Sequence, residues 1–178
     1  MRTAASLAVL TAVSLFAGGG GVWIDVPFVE QTRNACGAAN AAMLLRYWSG
    51  QGARLERADA SLEDLHAELY SAEERGALGS ALAALLEAAG LRTFTFEGRF
   101  EDLSQHLAKG RPLVVCIKPR GQSRLHYALA VGLDPAEDVV LLNDPARRKL
   151  AKMDRAEFLA SWAGAGNWML LATPLATR

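Results

Sequence analysis

The chain has 178 residues, of which 51% are hydrophobic, and its 19 basic side chains balance its 19 acidic ones. This length suits one domain with a substantial core, preceded at most by a targeting segment. A formal net charge of zero gives no electrostatic reason to expect nucleic acid or an anionic membrane surface as a partner.

The N-terminal segment, MRTAASLAVLTAVSLFAGGGG, has the layout of a secretory signal peptide. A single basic residue, Arg2, precedes an uncharged apolar stretch over residues 4–17, and the small residues Ala17-Gly18-Gly19 offer a cleavage site. We therefore predict a signal peptide over residues 1–21 and one domain over residues 22–178, in a protein exported to the periplasm or the extracellular space.

An uncleaved membrane anchor is the alternative interpretation of the same segment. No charged residue occurs between Thr3 and Ile24, as a membrane-spanning helix would require. The four consecutive glycines from Gly18 would make a poor bilayer helix, which favours the signal peptide. Any membrane association is thus expected through residues 1–21 only.

The first half of the domain is predicted to be mainly helical. An extended segment, VWIDVPFV, leads to a helix over about residues 35–48, with Asn34 as its N-cap. The apolar positions of this helix recur at helical spacing and are expected to face the core: Ala39, Met43, Leu44, Tyr47 and Trp48. Ser61 and Asp64 form a capping box that opens a second helix, which ends at about Tyr70.

Two shorter helices and a strand complete this half. Gly79 begins a helix, ALAALLEAAG, that ends at Gly90. The segment LRTFTF alternates like a strand, and FEDLSQHLAKG is predicted to form a helix that ends at Gly110.

The second half is predicted to be a sheet. Three apolar runs, PLVVCIK, LHYALAVGL and DVVLLND, are separated by turn residues, and the last two form an antiparallel hairpin around DPAE. The segment NWMLLATP adds a further strand. Helices followed by a sheet indicate an α+β fold.

The two cysteines are expected to have different roles. Cys116 lies inside an apolar strand and is predicted to be a buried structural thiol, which leaves Cys36 without a disulfide partner. Cys36 lies on the first turn of a helix, where partial positive charge and free amides stabilise a thiolate. Gly37 would let a substrate backbone come close. A small residue packed on the first helical turn is the alternative for Cys36.

A cysteine nucleophile needs a base, and the chain has three histidines. His66 and His106 lie on polar helix faces, where no special role is expected. His126 begins an apolar strand, where it is either the base or a structural histidine that the hairpin satisfies.

The hairpin supplies a partner for His126. A turn centred near Pro135 or Ala136 places His126 opposite or diagonal to Asp144, and a hairpin symmetric about Pro135 pairs the two directly. Asn143 is the rival partner, but neighbouring side chains on a strand point to opposite faces, so only one of the two can orient the imidazole.

Gln31 adds a fourth element five residues before the thiol. Its side-chain amide could donate to a developing oxyanion, together with the backbone amide of Cys36. The order Gln, Cys, His, Asp is that of papain-like proteases.

Three segments, VPFVEQTRNACGAANAAMLLRYW, HYALAVGLD and VVLLNDP, carry a specific resemblance. The chain resembles the bacteriocin-processing, double-glycine cysteine peptidases, and in particular their stand-alone members with a papain-like fold. This resemblance implies that Cys36 is the nucleophile, His126 the base, Asp144 its orienting partner and Gln31 the oxyanion donor.

The chain also departs from that family. In the transporter-linked members the peptidase precedes membrane helices and an ATPase, whereas this sequence contains no GxxxxGK[ST] phosphate loop and thus no ATPase domain. Coupling of cleavage to export therefore does not carry over. Gly18 to Gly21 are interpreted as the flexible end of the leader and not as a self-cleavage site.

The sequence therefore predicts an exported cysteine peptidase that acts on a peptide or protein substrate. An amidase or acyltransferase with the same triad, and a catalytically degenerate peptide-binding domain, are the alternatives. Neither a cofactor nor a metal site is predicted, because no CxxC or HxxxH spacing occurs.

Overall fold

A mostly antiparallel, eight-stranded sheet organises the chain in a computed structural model that describes residues 13–15 and 20–175. Five strands pair in the order β2-β7-β6-β10-β5, β1 extends the sheet beyond β2, and β8 and β9 continue it from β7. The strands are β1 Val13–Leu15, β2 Val22–Ile24, β3 Tyr70–Ser71, β4 Gly76–Ala77, β5 Leu91–Glu97, β6 Leu113–Ile117, β7 His126–Asp134, β8 Val139–Asp144, β9 Arg148–Asp154 and β10 Trp168–Pro174.

Five helices in the described ranges cover this sheet. They are α1 Cys36–Gly50, α2 Leu62–Leu69, α3 Gly79–Ala88, α4 Phe100–Ala108 and α5 Arg155–Ala163. Helix α1 contacts α2, α3 and β7, whereas α4 contacts β2, β6 and β7, and α5 contacts β6, β8 and β9. This mixed architecture confirms the predicted α+β class.

Helix α1 lies in the centre of the core. The five residues predicted to face the core, from Ala39 to Trp48, are all buried, and so are most of their neighbours. Two buried side chains hold the helix in place. The Tyr47 hydroxyl donates to the carbonyl of Gly110, between α4 and β6, at 2.7 Å, and the Trp48 indole donates to the carbonyl of Ala172 in β10 at 2.9 Å. These contacts hold α1, and with it the first turn of the helix, in a fixed position in the core.

The prediction that Asn34 caps α1 is wrong. Asn34 has a φ of 61° and turns the chain just before the helix, a left-handed conformation that asparagine tolerates. The N-cap position belongs instead to Ala35, which has no side-chain acceptor. The N-cap residue thus offers no side-chain acceptor to the first amides of the helix.

The other predicted helix ends are confirmed. The Ser61 hydroxyl accepts a hydrogen bond from the Asp64 amide at 3.1 Å at the start of α2. Gly90 and Gly110 follow α3 and α4 with φ values of 99° and 68°, the conformation that ends a helix most easily when the residue is glycine.

Four elements after residue 21 were not predicted from the sequence. The two-residue strands β3 and β4 are too short for a periodic signal, and β9 is an edge strand rich in charged residues. Helix α5 follows β9 directly and buries Phe158, Ser161 and Trp162 at helical spacing.

The β7–β8 hairpin has a different register from the symmetric one predicted. Asp134 pairs with Val139, so the turn is centred between residues 136 and 137 and not at Pro135. The cause is the Asp134 carboxylate, which accepts hydrogen bonds from the amides of Ala136 and Glu137 at 3.0 and 3.3 Å and closes a four-residue loop. Direct pairing of His126 with Asp144 is therefore wrong.

A β-bulge between Ala130 and Gly132 determines how His126 and Asp144 lie relative to each other. Beyond the bulge the ladder ends with the pair Leu129–Asn143, and one further step along both strands leads to Ala128 and Asp144. Since residues two apart on a strand share a face, His126 lies diagonal to Asp144 on the same face.

Most of the predicted signal peptide lies outside the described residues. Of residues 1–21, the structure describes 13–15, which pair antiparallel with β2, and the two glycines before β2. None of the helices in the described ranges combines the length and the apolar character needed to cross a membrane.

Candidate active site

A cleft of about 510 Å³ opens where the first turn of α1 meets the start of β7. One wall is the β3–β4 hairpin with the residue that begins α3, and the other is the loop between β6 and β7. The lining residues are Gln31, Asn34, Cys36, residues 74–79, residues 122–127 and Ala146. The Arg124 guanidinium donates to the Arg75 carbonyl oxygen and so joins the two walls.

Cys36 is a free, half-buried thiol at the floor of this cleft. Burial raises the pKa of the thiol, but hydrogen bonds from the His126 side chain and from the backbone amides of Tyr127 and Gly37 lower it by more. The pKa of Cys36 therefore lies below its ordinary value. The uncapped helix terminus acts in the same direction.

His126 connects the thiol to Asp144. Its Nε2 lies 2.8 Å from Oδ1 of Asp144, which leaves Nδ1 for the thiol. Burial lowers the pKa of His126, but the hydrogen bonds with Asp144 and Cys36 outweigh it and raise the pKa to about 9. The lowered pKa of Cys36 and the raised pKa of His126 both favour an ion pair of thiolate and imidazolium.

Asp144 is 4% exposed and remains a carboxylate. Burial raises the pKa of this carboxyl group. The hydrogen bond with His126 and the charge of the imidazolium lower the pKa by a larger amount, so it lies below its ordinary value. Its Oδ1 also accepts a hydrogen bond from the Ala146 amide at 3.0 Å.

Asn143, the rival partner, points away from the imidazole. Its side-chain amide donates to the Val26 carbonyl at 3.3 Å and accepts from the Leu150 amide at 3.1 Å. Asn143 is fully buried and joins three segments of the core.

Gln31 lines the cleft beside Cys36. Its backbone amide donates to the Pro145 carbonyl at 2.9 Å, which ties this segment to the end of β8. The Oε1 of Gln31 is buried and has no hydrogen-bond partner among the described residues, so the side-chain amide is not committed through its oxygen to another group.

The structure thus brings together the four residues singled out in the sequence and keeps the other candidates apart. His66 and His106 do not line the cleft. Cys116 is a free thiol that is 4% exposed, and burial raises its pKa to about 12. The prediction that Cys116 is buried is confirmed.

Gly37 is needed for a close approach that the sequence did not reveal. A β-carbon at this position would lie 2.6 Å from the Cβ of Ala77 in the hairpin wall. The glycine therefore lets the wall pack directly against the first turn of α1.

The walls of the cleft and Asn40 were missed in the sequence. Residues 74–79 and 122–125 show no motif, so only the fold reveals them. Asn40 did carry a signal, since it is the one polar residue between Gly37 and Leu45. No group of three or more His, Cys, Asp or Glu side chains in the described ranges is arranged to hold a metal ion.

Comparison with known proteins assigns the chain to a family. The model of the Peptidase C39 like family matches residues 23–169. A search of curated protein sequences finds no match.

Solved structures of C39 peptidases share the fold. A double glycine motif protease from an AMS/PCAT transporter, in complex with the leader peptide, is 21% identical with a TM-score of 0.65 over 89% of this chain and 96% of its own. A C39-like peptidase from Bacillus anthracis is 17% identical with a TM-score of 0.66 over 86% and 96%. The peptidase domain of Streptococcus ComA, a bi-functional ABC transporter involved in quorum sensing, is 17% identical with a TM-score of 0.66 over 85% and 100%. The predicted papain-like fold is confirmed.

Proposed function

Because the chain belongs to the Peptidase C39 like family and is a cysteine peptidase, we propose that Cys36 is its nucleophile, His126 its base and Asp144 the partner that orients the base. The observation that carries this proposal is the continuous hydrogen-bonded series from the Cys36 thiol through His126 to Asp144. It begins on an uncapped helix terminus that opens into a cleft.

The reaction starts with the Cys36 thiolate, which attacks the carbonyl carbon of a peptide bond. The oxyanion that forms is held by the side-chain amide of Gln31 and the backbone amide of Cys36. The His126 imidazolium gives its proton to the leaving amine, the C–N bond breaks, and a thioester remains on Cys36. His126, now neutral, takes a proton from a water molecule that attacks the thioester, and release of the acid restores the ion pair.

Asp144 acts on this cycle through His126 alone. Its carboxylate accepts a hydrogen bond from Nε2–H, keeps Nδ1 directed at the thiol and stabilises the imidazolium of the resting pair. Gln31 is supported as the oxyanion donor by its place in the cleft and its uncommitted side-chain oxygen.

The substrate is a peptide or protein segment that lies between the two walls of the cleft. The AMS/PCAT protease, which is similar to this chain, binds a leader peptide. By that likeness the substrate enters as an unfolded, extended segment that lies between the two walls, which the hydrogen bond from Arg124 joins.

The protein acts outside the cytoplasm after a signal peptide over residues 1–21 directs its export. The apolar stretch over residues 4–17, followed by small residues, supports this localisation.

A library of short peptides that carry a thiol-reactive group at the C-terminus tests the function. Labelling of Cys36, found by mass spectrometry, is expected with a subset of the library, and Cys36→Ala serves as the control. Labelling that is independent of peptide sequence and insensitive to His126→Ala would contradict the proposal. Product analysis with a good peptide, with and without an added amine, separates hydrolysis from acyl transfer.

A further inference from the structure

Asn40 is a polar side chain in the most apolar part of the molecule. It lies on α1 one turn after Cys36, is 0% exposed and has alanine neighbours on both sides. Buried amides need hydrogen-bond partners, so the partners of Asn40 show what it does.

Both partners of Asn40 are backbone carbonyl groups of the active site. Its Nδ2 donates to the carbonyl oxygen of Cys36 at 2.8 Å and to the carbonyl oxygen of Tyr127 at 3.1 Å. A carbonyl oxygen can only accept, so the NH₂ group of the side chain has to face both. The first partner belongs to the nucleophile and the second to the residue that follows the base.

The place of Tyr127 on β7 explains why α1 can reach it. The ladder between β7 and β8 ends at the pair Leu129–Asn143, so Tyr127 lies beyond it. Along this part of the strand α1 takes the place of a neighbouring strand: the Tyr127 amide donates to the Cys36 thiol, and the Tyr127 carbonyl accepts from Asn40.

We propose that Asn40 is a positioning residue, which sets the separation between the Cys36 thiol and the His126 imidazole by bridging the carbonyl groups of Cys36 and Tyr127. This inference rests on the proposed function of Cys36 and His126. Asn40 touches no reacting atom and acts through the backbone of α1 and β7.

The unpaired oxygen of the same side chain supports this role. Oδ1 of Asn40 is buried and has no hydrogen-bond partner among the described residues, which is unfavourable. The two hydrogen bonds that the NH₂ group donates therefore offset the cost of burying an unpaired oxygen, and they explain why an asparagine occupies this position. Without them two carbonyl oxygens would share a buried space with no donor between them, and their like partial charges would separate the helix from the strand.

Two substitutions test the bridge. Asn40→Ala removes it and leaves the Tyr127 carbonyl unpaired, whereas the helical hydrogen bond of the Cys36 carbonyl remains. Asn40→Asp keeps the shape but replaces the donor group with an acceptor and adds negative charge near the thiol.

Two controls remove buried hydrogen bonds of similar kind elsewhere. Tyr47→Phe deletes the bond between the far end of α1 and Gly110, and Asn143→Ala deletes a buried amide that joins Val26 and Leu150. Neither residue touches the thiol or the imidazole.

The measurement is the rate of Cys36 alkylation by iodoacetamide as a function of pH, with thermal unfolding, kcat and KM for each variant of the full chain. At pH 6 we expect Asn40→Ala to alkylate about tenfold more slowly, because the pKa of the thiol rises towards its ordinary value. We expect kcat to fall by about a hundredfold while KM stays within about twofold, the pattern for a misplaced catalytic group. Asn40→Asp should show the larger shift in thiol pKa, and both controls should keep the wild-type pH profile.

A folded Asn40→Ala variant with the wild-type alkylation profile and kcat would overturn the inference, and so would an equal shift in Tyr47→Phe. If both Asn40 variants fail to fold while Asn143→Ala folds, the role of Asn40 is purely structural and the inference is wrong. An ordinary thiol pKa and no turnover in the wild type would instead overturn the proposed function.

Discussion

The backbone amide of Gln31 donates a 2.9 Å hydrogen bond to the carbonyl oxygen of Pro145, the residue that follows Asp144. This bond joins the segment before α1 to the end of β8. The side chain proposed to hold the oxyanion and the carboxylate proposed to orient the base are therefore fixed to each other by the backbone, and α1 brings the thiol between them.

The first prediction concerns the two thiols. Iodoacetamide at mildly acidic pH should label Cys36 well before Cys116, because contacts with His126 lower the pKa of Cys36, whereas burial raises that of Cys116 to about 12. Peptide mapping after timed quenching measures both rates. Equal rates in the folded protein, or a disulfide between the two residues, would exclude Cys36 as nucleophile.

The second prediction concerns Asp144. The ion pair exists between the pKa of Cys36, which is lowered, and that of His126, which is raised to about 9 mainly by Asp144. Asp144→Ala should reduce kcat by about a hundredfold or more and move the upper limb of the pH–rate profile from about 9 to lower pH.

Asn143→Ala is the matched control for Asp144→Ala. Because the Asn143 side chain binds Val26 and Leu150, we expect a loss of stability of about 1–3 kcal/mol and an unshifted pH profile. A dead Asn143→Ala variant beside an active Asp144→Ala variant would mean that the two residues have the opposite roles.

The third prediction concerns Gln31. Gln31→Ala should lower kcat by about a hundredfold, the usual cost of losing one oxyanion donor. The thermal midpoint and the alkylation rate of Cys36 should change little, because the backbone hydrogen bond to Pro145 is retained. Normal turnover on a good substrate would reduce Gln31 to a loop residue.

The fourth prediction concerns the N-terminus. The mature protein should begin between Gly18 and Val22 and should be recovered outside the cytoplasm, since the apolar stretch and the small residues behind it have the pattern expected of a cleavable leader. Intact-mass measurement of protein from cell fractions checks this. An intact Met1 in the membrane fraction would favour the anchor.

Helices α1 to α4 and the β7–β8 hairpin could be predicted because apolar periodicity and glycine stops are local signals. The prediction that Asn34 caps α1 was wrong because N-caps and left-handed turns both favour asparagine. The sequence alone does not show which backbone conformation the residue adopts. The role of Asn40 could not be foreseen, because its partner Tyr127 lies 87 residues away. The wall formed by β3 and β4 could not be predicted either, because it is defined by its contact with α1, which is distant in the sequence.

The bulge at Val131 has an evolutionary consequence. In a regular ladder from the same turn Asp144 would lie opposite Leu129, so His126 would share its face with Asn143 instead. In that ladder Asn143 would lie opposite Ala130, four residues from His126, and Pro145 would take the diagonal position. One backbone irregularity, five residues from His126, therefore decides whether the carboxylate can reach the imidazole. A related chain that lost the bulge would therefore lose the contact between these two side chains without any substitution in the proposed triad, and an alignment of the residues alone would not show the loss.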